Sequence, residues 1–168
     1  MKKILLRLFG LILILCLAFF WVMINAKPAF AQTKTINYGN TNLENRDFSN
    51  LDLERAVFAA AEMRGANFQG SNLTNAIMSQ GVLLKANLEG ADLTGALLDQ
   101  VTFDNANLKN AIFKDAVMTR ARFYDATITG ADFTDAIIDR YQISLMCKKA
   151  DGINPVTGVA TRDSLGCK

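Results

Sequence analysis

The sequence predicts an all-β solenoid of square cross-section, and three observations carry that reading. Every fifth residue from Leu43 to Ile138, twenty positions in all, is Leu, Phe, Met or Ile. Two places before each sits a small residue in most repeats, as at Ala56, Ala61, Ala66, Ser71 and Gly81, and the residue between is Asn or Asp in half of them. That middle residue turns apolar at Val57, Ile77, Leu97, Val117 and Ile137, an interval of twenty. A period of five suits neither regular element. On an α-helix five residues advance ~500°, so successive repeats smear round the surface. On a flat strand, residues five apart point to opposite faces. The bulky residues share one interior only if the chain turns by a fixed amount at each repeat, in a coil whose turns stack at roughly 4.8 Å. An interval of twenty makes four repeats one turn, and Phe48 with Phe68, Phe103 with Phe123 and Phe113 with Phe133 recur at that same interval. Five coils of about twenty residues would stand about 24 Å tall.

The tandem pattern Ala-(Asn/Asp)-(Leu/Phe)-x-x, as in Ala66-Asn67-Phe68 and Ala131-Asp132-Phe133, resembles the pentapeptide-repeat family over about 100 residues. The resemblance implies a right-handed quadrilateral β-helix. It says little about activity, because members of that family do many unrelated things.

In chain order, Met1-Lys2-Lys3 and Arg7 form a basic start, Leu8 to Ile24 is apolar apart from Gly10, and Ala29-Phe30-Ala31 offers a processing site after Pro28. Residues 1–31 therefore read as a signal peptide cleaved after Ala31. The apolar run reaches the lower limit for spanning a bilayer, but the processing site favours cleavage, so membrane contact is expected only through this segment before removal. Cys16 within it reads as apolar filler. Residues 32–40 are polar and form a linker and N-terminal cap, with Ile36 or Tyr38 covering the first coil. An open solenoid end exposes core and strand edge, so something must cover it. The repeats occupy 41–143 and a short helical or loop cap occupies 144–168.

Charge excludes one class of function. The segment 1–31 holds four bases and no acid, which leaves 14 basic against 16 acidic residues in the mature chain. Thr41 to Ile143 carries 9 basic against 14 acidic residues, whereas a nucleic-acid binder presents a basic face. No nucleic-acid partner is expected.

Chemistry is sparse. The chain has no His. Asp92 and Asp132 fall on flat walls, and Gly65, Gly70, Gly90 and Gly95 are repeat corners rather than a phosphate loop. A filled prism offers no cleft, so no catalytic residue and no cofactor are assigned. The ladders Asn67, Asn87, Asn107 and Asp52, Asn72, Asp92 raise the question of calcium, but a flat row lacks the convergent oxygens that a calcium site needs. Their amides and carboxylates are expected to bond local backbone at the turns. No metal is assigned.

Two leads remain. The first is Val57, Ile77, Leu97, Val117 and Ile137, which form one apolar stripe flanked by Ala59, Ala60 and Ser79. Such a stripe marks either a contact surface for a protein partner or a second copy, or a bed for the chain's own C-terminal tail. Val82 and Ile112 read as scattered surface residues on other walls. The second lead is Cys147 and Cys167, an even pair in an exported chain, for which a disulfide is the first reading. Closing a loop of about twenty residues contributes around 3 kcal/mol. Thr161 is expected to cap a single helical turn ending at Gly166. The tail Asn154-Pro155-Val156-Thr157-Gly158 with Thr161-Arg162-Asp163-Ser164-Leu165-Gly166-Cys167 resembles exported pentapeptide-repeat proteins of cyanobacteria and their plant relatives in the thylakoid lumen. That resemblance implies the thylakoid lumen or periplasm and a paired Cys147 and Cys167. The functional expectation is a non-enzymatic structural or interaction module; the alternative is a redox-responsive lumenal protein in which that disulfide is reduced.

Overall fold

Why the chain turns every five residues is visible in its dihedrals. In the computed structural model, which describes residues 36–168, every fifth residue from Asn40 to Asp135 has a φ between 53° and 71°. Signal segment 1–31 and its cleavage point lie outside the described residues. One left-handed residue per repeat bends the chain through a corner. Fourteen of these twenty positions are Asn, Asp or Gly, the residues that reach that region at least cost.

Parallel bridges then join residues twenty apart along four ladders that begin at Asn37, Asn42, Asp47 and Asp52. The lowest part of the Asn37 ladder is regular enough to form two short strands, β1 (Val117–Met118) and β2 (Ile137–Ile138), paired in parallel. The result is a quadrilateral β-helix with four walls, named below by their uppermost residue. The large residues of the five-residue period all point inward, and every one except the half-buried Ile138 is buried, as are the alanines two places earlier from Ala56 to Ala131. Phenylalanines twenty apart stack face to face, with ring centroids 5.2 Å apart for Phe103 and Phe123 and 5.1 Å for Phe113 and Phe133. Tyr38 packs on Phe48 and Phe58 at the top of this column.

Each repeat places its backbone donors in a fixed way. The core residue and the corner residue donate to the coil below, as in Phe58 N–H to Ile77 O (2.7 Å) and Ala60 N–H to Ser79 O (2.9 Å). The middle residue donates to the coil above, as in Ile77 N–H to Ala56 O (2.9 Å). The small residue closes the turn, as in Ala61 N–H to Phe58 O (3.1 Å). The fifth N–H, on the residue after the core position, bonds to the side chain two places earlier where that is Asn or Asp: Glu44 to Asn42, Ser49 to Asp47, Thr94 to Asp92. Middle-slot Asn and Asp therefore complete the backbone's hydrogen bonding.

The lower end is finished by side chains standing in for a missing coil. The chain leaves the coil at α1 (Arg140–Met146), inside the stretch 41–143 that the repeat pattern delimits. In upper coils Gln100 N–H bonds Thr119 O and Phe103 N–H bonds Arg122 O. One turn lower the same positions find side-chain oxygens, Arg120 N–H bonding Asp139 Oδ2 (2.7 Å) and Phe123 N–H bonding Gln142 Oε1 (3.3 Å). Phe133 N–H bonds Ser164 Oγ (3.0 Å) at the end of α2 (Thr161–Ser164). The Lys149 ammonium donates to the Phe123 and Ala126 carbonyls, and burial lowers its pKa against the opposing pull of Asp125.

Three expectations need correcting at this end. Ile112 is not a scattered surface residue but only 9% exposed, and Asp132, expected on a flat wall, is 1% exposed. The cause is the tail: Asn154, itself fully buried, donates to the Asn110 (3.1 Å) and Gly130 (2.9 Å) carbonyls beside them. Thr161 does not cap α2. It is the helix's first residue, behind Ala160 in the N-cap place, and its own N–H is held by Gly152 O (3.1 Å).

Candidate functional site

The Asn37 ladder runs Val57, Ile77, Leu97, Val117, Ile137, each bridged to the next, so the five apolar side chains form one contiguous stripe. Leu97 is 43% exposed and Ile137 55%, while Val57, Ile77 and Val117 are half-buried by their neighbours in the row. Of the two readings of this stripe, a bed for the tail does not describe the structure. The tail sits at the Asp52 wall, through Asn154 on the Asn110 and Gly130 carbonyls, and Leu97 and Ile137 stay open.

Because its middle slots are apolar, this wall also lacks the side-chain acceptors that the polar walls supply. Backbone N–H groups of Ala59, Ser79, Asp99, Thr119 and Asp139 find no protein acceptor among the described residues. A column of unmatched donors thus runs beside the apolar stripe at about the strand spacing of 4.8 Å. A partner on this wall would meet apolar surface and hydrogen-bond donors together. The margins are charged and opposite in sign at the lower end. Asp115 and Asp135 occupy the corners on one side, and Arg120, with Arg140 at the start of α1, lies on the other. Within the wall, Arg120 grips Asp99 through one nitrogen to both oxygens (3.0 and 3.1 Å), and the Thr119 hydroxyl donates to the same carboxylate. Hydrogen bonds from Gln100 and Thr119, aided by Arg120, hold the Asp99 pKa below its ordinary value.

The Asp47 and Asp52 walls are largely self-satisfied. On the Asp47 wall Asn67 Nδ2 donates to Asp47, Asn87 to Asn67 and Asn107 to Asn87, each at 3.0 Å. On the Asp52 wall Asn72 donates to Asp52 at 2.8 Å. These oxygens face the next amide or their own turn, which fits a structural ladder rather than an ion cradle. Two shallow depressions lie at the cap. One, of about 400 Å³, is lined by Asp151, Ile153, Arg162 and Cys167, and the other, of about 330 Å³, by Asp125, Thr127 and Lys149.

Comparison with known proteins decides the family. Family profiles of pentapeptide repeats match residues 39–75 (8 copies) and 83–139 (9 copies). A pentapeptide repeat protein from the Arabidopsis thaliana thylakoid lumen is 40% identical, over 77% of this chain and 90% of that one, with a TM-score of 0.76. The chain belongs to the pentapeptide repeat family. Its quadrilateral β-helix is accordingly right-handed, as in other pentapeptide repeat proteins. Two Nostoc pentapeptide repeat proteins resemble it more distantly. HetL, involved in heterocyst differentiation regulation, is 26% identical over 56% of this chain and 48% of its own, with a TM-score of 0.31. The other is 22% identical over 71% and 85%, with a TM-score of 0.38. Among curated proteins none matches.

In this pentapeptide repeat protein the expected cysteine pair is joined. Cys147 ends α1 and Cys167 follows α2, with Cα atoms 5.6 Å apart, so the disulfide ties the terminus to the foot of the solenoid. Sequence reasoning missed Asn154. Asn-Pro reads as loop, and only the fold reveals the carbonyls waiting for its amide. It also missed the unmatched donors on the Asn37 wall, although the absence of Asn and Asp from those middle slots was a readable signal.

Proposed function

We propose that this chain is a non-enzymatic, exported structural module: a rigid rod of five coils that offers its Asn37 wall to a protein partner in the thylakoid lumen or periplasm. One observation carries the reading. Val57, Ile77, Leu97, Val117 and Ile137 line up on a single wall beside a column of N–H groups that lack a protein acceptor among the described residues, while the Asp47 and Asp52 walls carry Asn and Asp ladders or the tail. A contiguous apolar strip of this kind marks a contact surface. The compartment draws support from the 40% identical lumenal relative. The non-enzymatic character draws support from a chain without His and from carboxylates engaged by neighbouring amides, hydroxyls and guanidinium groups. In this reading the disulfide is a passive staple on the cap.

A cross-linked pull-down from the native compartment tests it, using the mature chain and a Leu97→Lys, Val117→Lys variant. The partner should be lost from the variant while its far-UV circular dichroism and melting temperature stay those of the parent. Undiminished capture by the variant would overturn the proposal.

A further inference from the structure

We infer that the Asn37 wall receives a second copy of this chain, docked wall to wall about a two-fold axis parallel to the solenoid. This rests on the interaction reading above and supplies its partner. With that axis each row meets its own counterpart, Val57 over Val57 through Ile137 over Ile137, and the margin on one side of a wall falls over the opposite margin of the other copy. The charges then match. In the row of Ile137, Asp135 of each copy faces Arg140 of the other, and in the row of Val117, Asp115 faces Arg120, whose guanidinium also holds Asp99 of its own chain; all four side chains belong to exposed residues. The two-fold makes every such pair twice.

The alternative two-fold, across the solenoid, pairs the first row with the last. It sets Asp115 over Asn75, Arg120 over Gln80 and Arg140 over Ala60, and leaves Arg55 with Asp135 as its one opposite-charge match. Electrostatic complementarity fixes register and orientation at an interface, and here it selects the parallel arrangement. The unmatched donors agree with that choice. Ser79, Thr119 and Asp139, whose N–H groups lack acceptors, lie on the basic side of the stripe, where the second copy brings Asn75, Asp115 and Asp135. One wall of a rod about 24 Å tall offers less than the roughly 800 Å² per partner of a standard interface. The dimer is therefore weak and concentration-dependent.

Sedimentation velocity on the mature, disulfide-bonded chain over about a hundredfold concentration range tests this. The expected result is a monomer shifting to a dimer as concentration rises, with a lower dimer fraction in high salt. Leu97→Lys should weaken association at least tenfold, and Ile137→Lys, at the more exposed end of the stripe, should do the same. Asp135→Lys and Arg140→Asp, whose side chains enter no ion pair among the described residues, should each weaken it, and the double reversal should restore it, because each altered residue again meets its opposite. A monomer at all concentrations overturns the inference, as does a dimer indifferent to Leu97→Lys or a double reversal no better than the single changes. The two readings fail separately. A strict monomer that still captures a different protein through Leu97 removes the second copy and leaves the interaction wall standing.

Discussion

The residue that sets the geometry of each repeat is the left-handed one, and its chemistry is graded by what the coil above places against it. Gly65 has φ +63°, and a methyl added there would sit 2.4 Å from Asn45 Oδ1, twenty residues earlier. Gly70 stands in the same relation to Asn50, and Gly95 to Asn75, both at 2.6 Å. Gly90 has φ +65° and nothing within 4 Å, because Gly70 lies above it. Gly90→Ala should therefore cost only the left-handed penalty, about 1 kcal/mol. Gly65→Ala should cost about 1–2 kcal/mol more, since overpacking adds to that penalty. Measured in an Asn45→Ala background, the Gly65→Ala cost should fall to that of Gly90→Ala. Equilibrium unfolding in urea checks all four chains. Equal costs for Gly65→Ala and Gly90→Ala would show that the Asn-over-Gly contact is irrelevant. This relation was present in the sequence as Asn and Gly twenty apart. It became readable only once the left-handed position was known, because the most conspicuous residues, the buried Leu and Phe, say nothing about which slot makes the corner.

At the scale of elements, the lower cap is the part that depends least on periodicity. Phe103 and Phe123 fall on one wall by arithmetic, but Asp139, Gln142, Ser164 and Lys149 fill backbone positions of a coil that is not there. Nothing in a repeat pattern announces such substitutes, so the pattern alone reads Ile112 as surface and Thr161 as a cap. Asn154 concentrates the effect. Its amide serves carbonyls of two successive coils while its own carbonyl accepts Val156 N–H (2.9 Å) and Thr157 N–H (3.0 Å). Asn154→Ala strands those buried groups and should destabilise the protein by about 3 kcal/mol. Reduction of Cys147–Cys167 should cost a similar ~3 kcal/mol through the freed loop. Hydrogen exchange separates the two changes. After reduction, protection should fall near Cys167 and persist at Gly130, which Asp151 O holds (2.8 Å). In Asn154→Ala, protection should fall at Gly130 and Phe133 while the disulfide stays closed. Loss of protection throughout the solenoid on reduction alone would make the disulfide a determinant of the whole fold rather than a staple on one end.

For the whole molecule, two periods coexist and govern different things. The core obeys a period of five, so any whole number of repeats can be removed without turning a Leu or Phe outward. Wall identity obeys a period of twenty, set by the bridges from Asn37 to Val57 and onward. The sequence displays both, and this made the architecture and the apolar stripe legible, whereas the occupant of the stripe depends on surfaces outside any repeat. The distinction allows a controlled experiment. Excising residues 96–115 removes four repeats, including Leu97, and returns Val57, Ile77, Val117 and Ile137 to one wall. Excising 96–110 removes three repeats, again including Leu97, but carries Val117 and Ile137 round one corner onto the Asn42 wall. Both excisions remove Asp99 and Asp104, so both lose the Arg120 and Arg122 pairs equally. The cap contacts survive in both, since Asn154 bonds backbone carbonyls that the shortened coils still present. Both proteins should fold with β-helical circular dichroism and cooperative melts. Association should persist in the four-repeat excision, weakened by the missing row and by the loss of Asp115, and vanish in the three-repeat excision, although that chain retains more residues, Asp115 among them. Equal association in the two would mean that alignment of the stripe on one wall has no bearing on what the protein binds.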